Sequence, residues 1–204
     1  MIFKKTLAPT MAALIAVIMS QSALAQSEAV SGTYKAEPTH RYITFSYSHM
    51  GYSNPWLRWR DWDATLEWNA EDPSASSISV VIDTASIDSG VDVFDGHLKS
   101  DRFFDVENHS QITFASTGVT QVNDKTGTMT GDLTILGVSK PVTLDVVFNN
   151  AGFSERDGIY KLGFSAKTSV NRSDFGLDYA VPYVSDKVDI IIEAEFIMPA
   201  ESTE

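Results

Sequence analysis

One pattern governs what this chain can fold into. From residue 43 onward, apolar and polar residues alternate in run after run, with turn residues between the runs. Ile43, Phe45 and Tyr47 alternate with Thr44 and Ser46. Trp62, Ala64, Leu66 and Trp68 alternate with Asp61, Asp63, Thr65 and Glu67, and Ile78, Val80 and Ile82 with Ser77 and Ser79. The same period places Met129, Leu133 and Ile135 on one face. It does so again for Val142, Leu144, Val146 and Phe148, for Leu162, Phe164 and Ala166, and for Val188, Ile190, Ile192, Ala194 and Phe196. Successive side chains of an extended chain point to opposite sides, so period 2 marks strands with one buried face. With a short strand near Thr33 and another over residues 112–114, the pattern predicts about eight or more strands. Turns are predicted at Asp72-Pro73, Asn123-Asp124 with Gly127, Lys140-Pro141, Asn149-Asn150 with Gly152, and Asp157-Gly158. Spacing this regular predicts an all-β sandwich or an up-and-down antiparallel barrel. A barrel suits the long alternating runs better, because closure leaves no exposed edge.

The pattern is preceded by a segment of another kind. Lys4 and Lys5 stand ahead of an apolar run over residues 7–19, and Ala23-Leu24-Ala25 forms an A-x-A site. This predicts a signal peptide over residues 1–25, cleaved after Ala25, and one domain over residues 26–204. The apolar run is shorter than the roughly 20 residues a span requires, so no stable membrane anchor is expected after cleavage. Losing Lys4 and Lys5 takes the formal charge from −12 to −14. An acidic surface repels nucleic acid, which is therefore not an expected partner. Cysteine is absent, which excludes thiolate catalysis and thiolate-bound metals.

Two segments depart from the alternation. Over residues 91–104, Val91, Phe94 and Leu98 fall on one face of a short predicted helix, followed by Phe103 and Phe104. Over residues 51–59, Asn54 and Pro55 predict a loop that carries Tyr52, Trp56, Leu57 and Trp59. An apolar helix and an aromatic loop need something to cover, and the mouth of a barrel would serve.

Motifs for chemistry are sparse. The four histidines, His40, His49, His97 and His109, show no H-E-x-x-H or similar spacing, and no metal is expected from sequence spacing alone. No G-x-S-x-G elbow or phosphate-cradling glycine loop is present. No catalytic residue is assigned, although His49, ending an alternating run, is the first side chain to suspect if the barrel were an enzyme. Gly131 and Gly137 flank a strand and suggest a bulge or bend. The inward aromatic load either packs the barrel solid or lines a cavity, and periodicity alone leaves both open.

The order of several blocks resembles the YceI-like family of periplasmic proteins, over about residues 32–199. The blocks are His49-Met50-Gly51-Tyr52-Ser53, Ile82-Asp83-Thr84-Ala85-Ser86-Ile87-Asp88-Ser89-Gly90, Asp95 with His97-Leu98-Lys99-Ser100, and Phe103-Phe104-Asp105. They continue with Ile112-Thr113-Phe114, Gly131-Asp132-Leu133-Thr134-Ile135-Leu136-Gly137-Val138-Ser139-Lys140-Pro141, and Asn171-Arg172-Ser173-Asp174-Phe175-Gly176. The resemblance implies an extended, lipocalin-like antiparallel β-barrel of about eight strands with a short helix near its mouth. It implies a periplasmic protein that binds, stores or transports a long isoprenoid lipid, a polyprenyl phosphate or a quinone-like molecule, held non-covalently and without a cofactor. The ligand-binding residues expected on this basis are Phe45, Tyr47, His49, Trp56, Trp62, Leu66, Phe114, Leu133, Leu144 and Phe164. Phe94, Leu98, Phe103 and Phe104 are expected as a lid. Arg172 is read as pairing with a carboxylate in a structural turn. Phe94-Asp95 stands where many members have Arg-Asp, and losing that arginine at the mouth favours a neutral, quinone-like ring. Other readings are a solid barrel acting through surface contacts, as a stress or assembly factor, and an enzyme for an apolar substrate. Two copies of such a barrel could also form a homodimer.

Overall fold

The computed structural model describes residues 29–199, so the expected signal peptide lies outside the described residues. The alternating runs become ten strands: β1 (Gly32–His49), β2 (Trp56–Trp59), β3 (Trp62–Trp68), β4 (Ser77–Asp83), β5 (Ile87–Asp88), β6 (Gln111–Gln121), β7 (Thr126–Ile135), β8 (Val138–Ser154), β9 (Ile159–Asn171) and β10 (Val184–Pro199). One helix, α1 (Asp92–Lys99), joins β5 to β6. Eight strands pair antiparallel in the order β1-β3-β4-β6-β7-β8-β9-β10, and β10 pairs back to β1, closing a barrel. β2 and β5 form a short extension beside β1. Among the described residues, no helix is long and apolar enough to cross a membrane.

The apolar face of each run turns inward. Tyr34, Ile43, Phe45, Trp62, Leu66, Ile82, Ile112, Ile135, Leu144, Leu162 and Phe196 are all buried. Their polar neighbours in the alternation, such as Asp61, Asp63, Glu67 and Asp83, are exposed. The boundaries differ from expectation in four places. The short strand near Thr33 is the start of an 18-residue strand, β1. The aromatic loop ends at Pro55, and Trp56–Trp59 forms β2 against residues 43–46 of β1. Lys140-Pro141 is no turn but part of β8. The chain reverses instead at Leu136 and Gly137, both with positive φ (52° and 73°), as a two-residue hairpin requires. Pro141 pairs with Asp132 of β7, on a stretch of β8 ahead of its ladder with β9, where a missing N–H is tolerated. Asn149-Asn150 is also inside β8. Phe148 pairs with Phe164 and Asn150 with Gly163, so Asn149 is the extra residue of a bulge.

The Arg172 segment ties β9 to β10. The Arg172 guanidinium donates to the carbonyls of Ser185 (2.9 Å), Val184 (3.0 Å) and Leu177. Its hydrogen-bond partners are therefore backbone carbonyls rather than the expected carboxylate. The carboxylate of Asp186 instead accepts from the Ser173 N–H (2.9 Å) and hydroxyl (2.7 Å).

Candidate ligand cavity

The barrel is hollow between one packed end and one polar rim. A cavity of about 380 Å³ runs between the strands, lined by inward side chains of β3, β4, β6, β7, β8, β9 and β10. Its wall is apolar and aromatic: Trp62, Leu66, Trp68, Phe114, Leu133, Leu144, Phe148, Phe164 and Phe196 all contribute. The lining on β7 extends from Thr126 to Ile135. At about 3.4 Å per residue and a tilt near 40°, those ten residues span roughly 25 Å of the barrel axis.

One end is closed by aromatic packing. Trp59 stacks on Phe45 with ring centroids 4.6 Å apart and meets Phe104 edge-on at 5.6 Å. Leu57, Ile87, Leu98 and Phe104 are buried in the same core. The other end is polar. Thr120, Gln121, Asn123, Asp124, Lys125, Thr126 and Thr128 line the cavity at the β6–β7 hairpin, opposite the end that carries α1. Lys125 Nζ sits 4.9 Å from the centroid of the Phe148 ring and donates to the Asn149 carbonyl at 3.3 Å. Inside this rim, Trp68 stacks on Phe148 at 5.6 Å and both rings contact Phe164.

Of the residues expected to contact ligand, Trp62, Leu66, Phe114, Leu133, Leu144 and Phe164 line the cavity. Phe45 lies beneath Trp59, one layer outside the lining. Tyr47 is half-buried beyond it, where burial raises its phenol pKa against the pull of Arg172. His49 is exposed. The β1–β10 register shifts between Tyr47 and His49, and the His49 N–H donates to the Ser53 carbonyl across a hairpin tip (2.8 Å). Trp56 is 54% exposed, because β2 turns Leu57 and Trp59 inward and period 2 leaves Trp56 outside. Phe94, Leu98, Phe103 and Phe104 do not cover the opening. They pack against the core at the closed end, where the barrel itself supplies the apolar partner that the helix needs. The position before Asp95 is therefore at the closed end, remote from the polar rim.

Trp59 and Lys125 fall outside the expected contacts, while Trp68 and Phe148 were expected only as part of the inward aromatic load that could line a cavity. Trp68 and Phe148 share the inward parity of their runs and were legible there. Trp59 was hidden by reading its segment as a loop, and Lys125 by a turn sequence with no distinguishing motif. Three cavity-lining indoles, Trp59, Trp62 and Trp68, have buried N–H groups with no hydrogen-bond partner. A buried orphan donor costs on the order of 1–3 kcal/mol, so these three rings are held in place by packing rather than by hydrogen bonds.

Arg41 packs over Trp62 where β1 changes partner strands. β1 pairs with β3 only over Gly32–Lys35, and pairing with β2 begins at Ile43. Arg41 lies between these ladders, with its guanidinium 5.4 Å from the Trp62 ring and 3.7–3.9 Å from Asp63 and Asp61. Both aspartates are exposed, so packing over Trp62 matters more than the ion pairs.

The YceI-like domain family matches residues 34–196. A UPF0312 protein of Pseudomonas fluorescens (strain SBW25) is 38% identical over 194 residues, covering 94% of this chain and 96% of the relative. A UPF0312 protein of Azotobacter vinelandii is 34% identical over the same share of this chain and 97% of its own. Among solved structures, a YCEI protein of Campylobacter jejuni aligns with a TM-score of 0.67 at 30% identity, over 72% of this chain and 87% of the other. A polyisoprenoid binding domain from Saccharophagus degradans aligns with a TM-score of 0.60 over 81% of this chain and 98% of its own; at 14% identity, that likeness is one of fold. Matched along nearly all of its described length, the chain belongs to the YceI-like family.

Proposed function

We propose that this protein binds a long isoprenoid lipid in the barrel cavity, non-covalently, and serves as a periplasmic carrier or store for it. The observation that carries the reading is a long apolar, aromatic-lined cavity with one polar end. A hydrocarbon tail gains about 0.8 kcal/mol per CH₂ on leaving water, so such a wall favours chain length over any one contact. The rim holds the polar end group. Lys125 and the rim hydroxyls suit a phosphate or a ring carbonyl. The likeness to a domain described as polyisoprenoid-binding supports the same ligand class. The open interior favours a carrier over a solid barrel that works only through its surface.

Leu133→Trp tests this reading by filling the cavity from near the C-terminal end of β7. Wild-type protein incubated with vesicles containing polyprenyl lipid and re-isolated should carry about one lipid per chain. The variant, with an unchanged far-UV spectrum, should carry little. Equal loading of both would place the lipid elsewhere and sink the proposal.

A further inference from the structure

A different part of the surface carries a second inference, independent of the cavity. Ala36 pairs with Phe196 and Arg41 with Ala194, so five steps along β1 are matched by two along β10. The extra residues, including Glu37 and His40, bulge out of the ladder at the seam where the barrel closes. Glu195 of β10 lies opposite them and faces outward, since its neighbours Ala194 and Phe196 are buried. One donor atom from each of Glu37, His40 and Glu195 lies within 4.8 Å of the other two.

We propose that Glu37, His40 and Glu195 form a binding site for one divalent transition-metal ion of the zinc and nickel class. The donor set is one imidazole and two carboxylates, which suits these ions better than magnesium or calcium. His40 Nδ1 is already 2.9 Å from Glu37 Oε2. Donors that bind a common ion at about 2.0–2.2 Å lie roughly 3.5 Å apart, so the hydrogen-bonded Glu37–His40 pair must part slightly as the three donors, now within 4.8 Å of one another, settle around the ion. The His40 side chain is 60% exposed and has room to move. The Glu37 carboxylate is oriented as metal-binding carboxylates are. It accepts from the Thr39 N–H (2.9 Å), the Thr39 hydroxyl (2.9 Å) and the His40 N–H (2.6 Å). His40 and Glu195 also border an outer groove of about 490 Å³, formed with residues 149–154 of β8, which leaves the remaining coordination positions open. Lys161, 3.7 Å from Glu195, is the competing cation that the ion displaces. Bound there, the ion bridges β1 to β10 across the bulge and staples the barrel where its ladder is interrupted.

Calorimetric titration of tag-free protein with zinc chloride, and separately with nickel chloride, tests the site. One ion per chain is expected, together with a higher melting temperature in its presence. His40→Ala and Glu195→Gln should each weaken binding at least about tenfold and remove the thermal gain, while His97→Ala, on α1, should change neither. The absence of stoichiometric binding would overturn the proposal. So would unchanged affinity in either His40→Ala or Glu195→Gln.

Discussion

Gly131 sets the shape of the cavity wall through what it lacks. A Cβ there would run into the Phe114 ring and come within 2.6 Å of the Ala115 carbonyl oxygen. The Phe114 ring lies over the bare backbone of the neighbouring strand, a way of letting a large ring fit where two side chains would collide. Gly131→Ala should therefore push Phe114 into the cavity and cost about 1–3 kcal/mol, read as a lower denaturant midpoint with an unchanged slope. An unchanged midpoint would show that the ring relaxes freely. The indole donors make a separate point. Trp68→Phe keeps a ring against Phe148 and Phe164 but removes an N–H. If the ligand's acceptors use that donor, affinity for a headgroup-bearing isoprenoid should fall by about 0.5–1.5 kcal/mol, while binding of a plain long-chain hydrocarbon stays constant. Equal changes for both ligands would mean that the ring matters and the donor does not. Neither role follows from composition. Gly131 and Trp68 sit in ordinary alternating runs, and only the neighbouring strand shows what each one meets.

Between elements, the corner from β9 to β10 holds the closing strand in place. The backbone N–H of Ser173 is the main influence holding the Asp186 carboxyl below its ordinary range, opposed by partial burial and aided by the Ser173 hydroxyl and the Arg172 charge. Because the folded pKa is depressed, the ionised form favours folding. That stability is present above the unfolded value near 4 and is lost as pH falls through the lower native value. Melting temperature should accordingly drop with acid below about pH 4, and Asp186→Asn should flatten that drop while lowering stability at neutral pH. An identical acid profile in the variant would assign the sensitivity to other carboxylates, such as Asp88 or Asp189, whose pKa values are also lowered. The elements themselves were legible to different degrees. Long strands announced themselves by period 2, and α1 by its Val91, Phe94 and Leu98 spacing. The rest was concealed by composition and by shortness. Asn149-Asn150 and Lys140-Pro141 look like turns because their composition is turn-like, yet the β7–β8 and β8–β9 ladders carry the chain through both, with a bulge at Asn149. β2 was hidden behind Pro55, since four residues are too few for periodicity to register.

At the scale of the molecule, the alternation accounts for a closed barrel and for which face of each strand turns inward. It could not say which end is open. That depends on where α1 and the β6–β7 hairpin fall after closure, and on Trp59, Phe45 and Phe104 meeting at one end while Lys125 and the threonines gather at the other. Nor could it separate a hollow barrel from a packed one, because the same inward Phe and Trp residues serve both. The difference lies in how far opposite walls stand apart. The charge of the chain fits the same picture, since a net charge of −12 favours a hydrated outer surface around an apolar interior. The most direct measurement is mass spectrometry of the organic extract from protein purified out of its own organism. A stoichiometric isoprenoid lipid is the expected result, and its headgroup would show whether the rim meets a phosphate or a quinone ring. An empty extract from protein that also takes up no added polyprenyl lipid would contradict the carrier function.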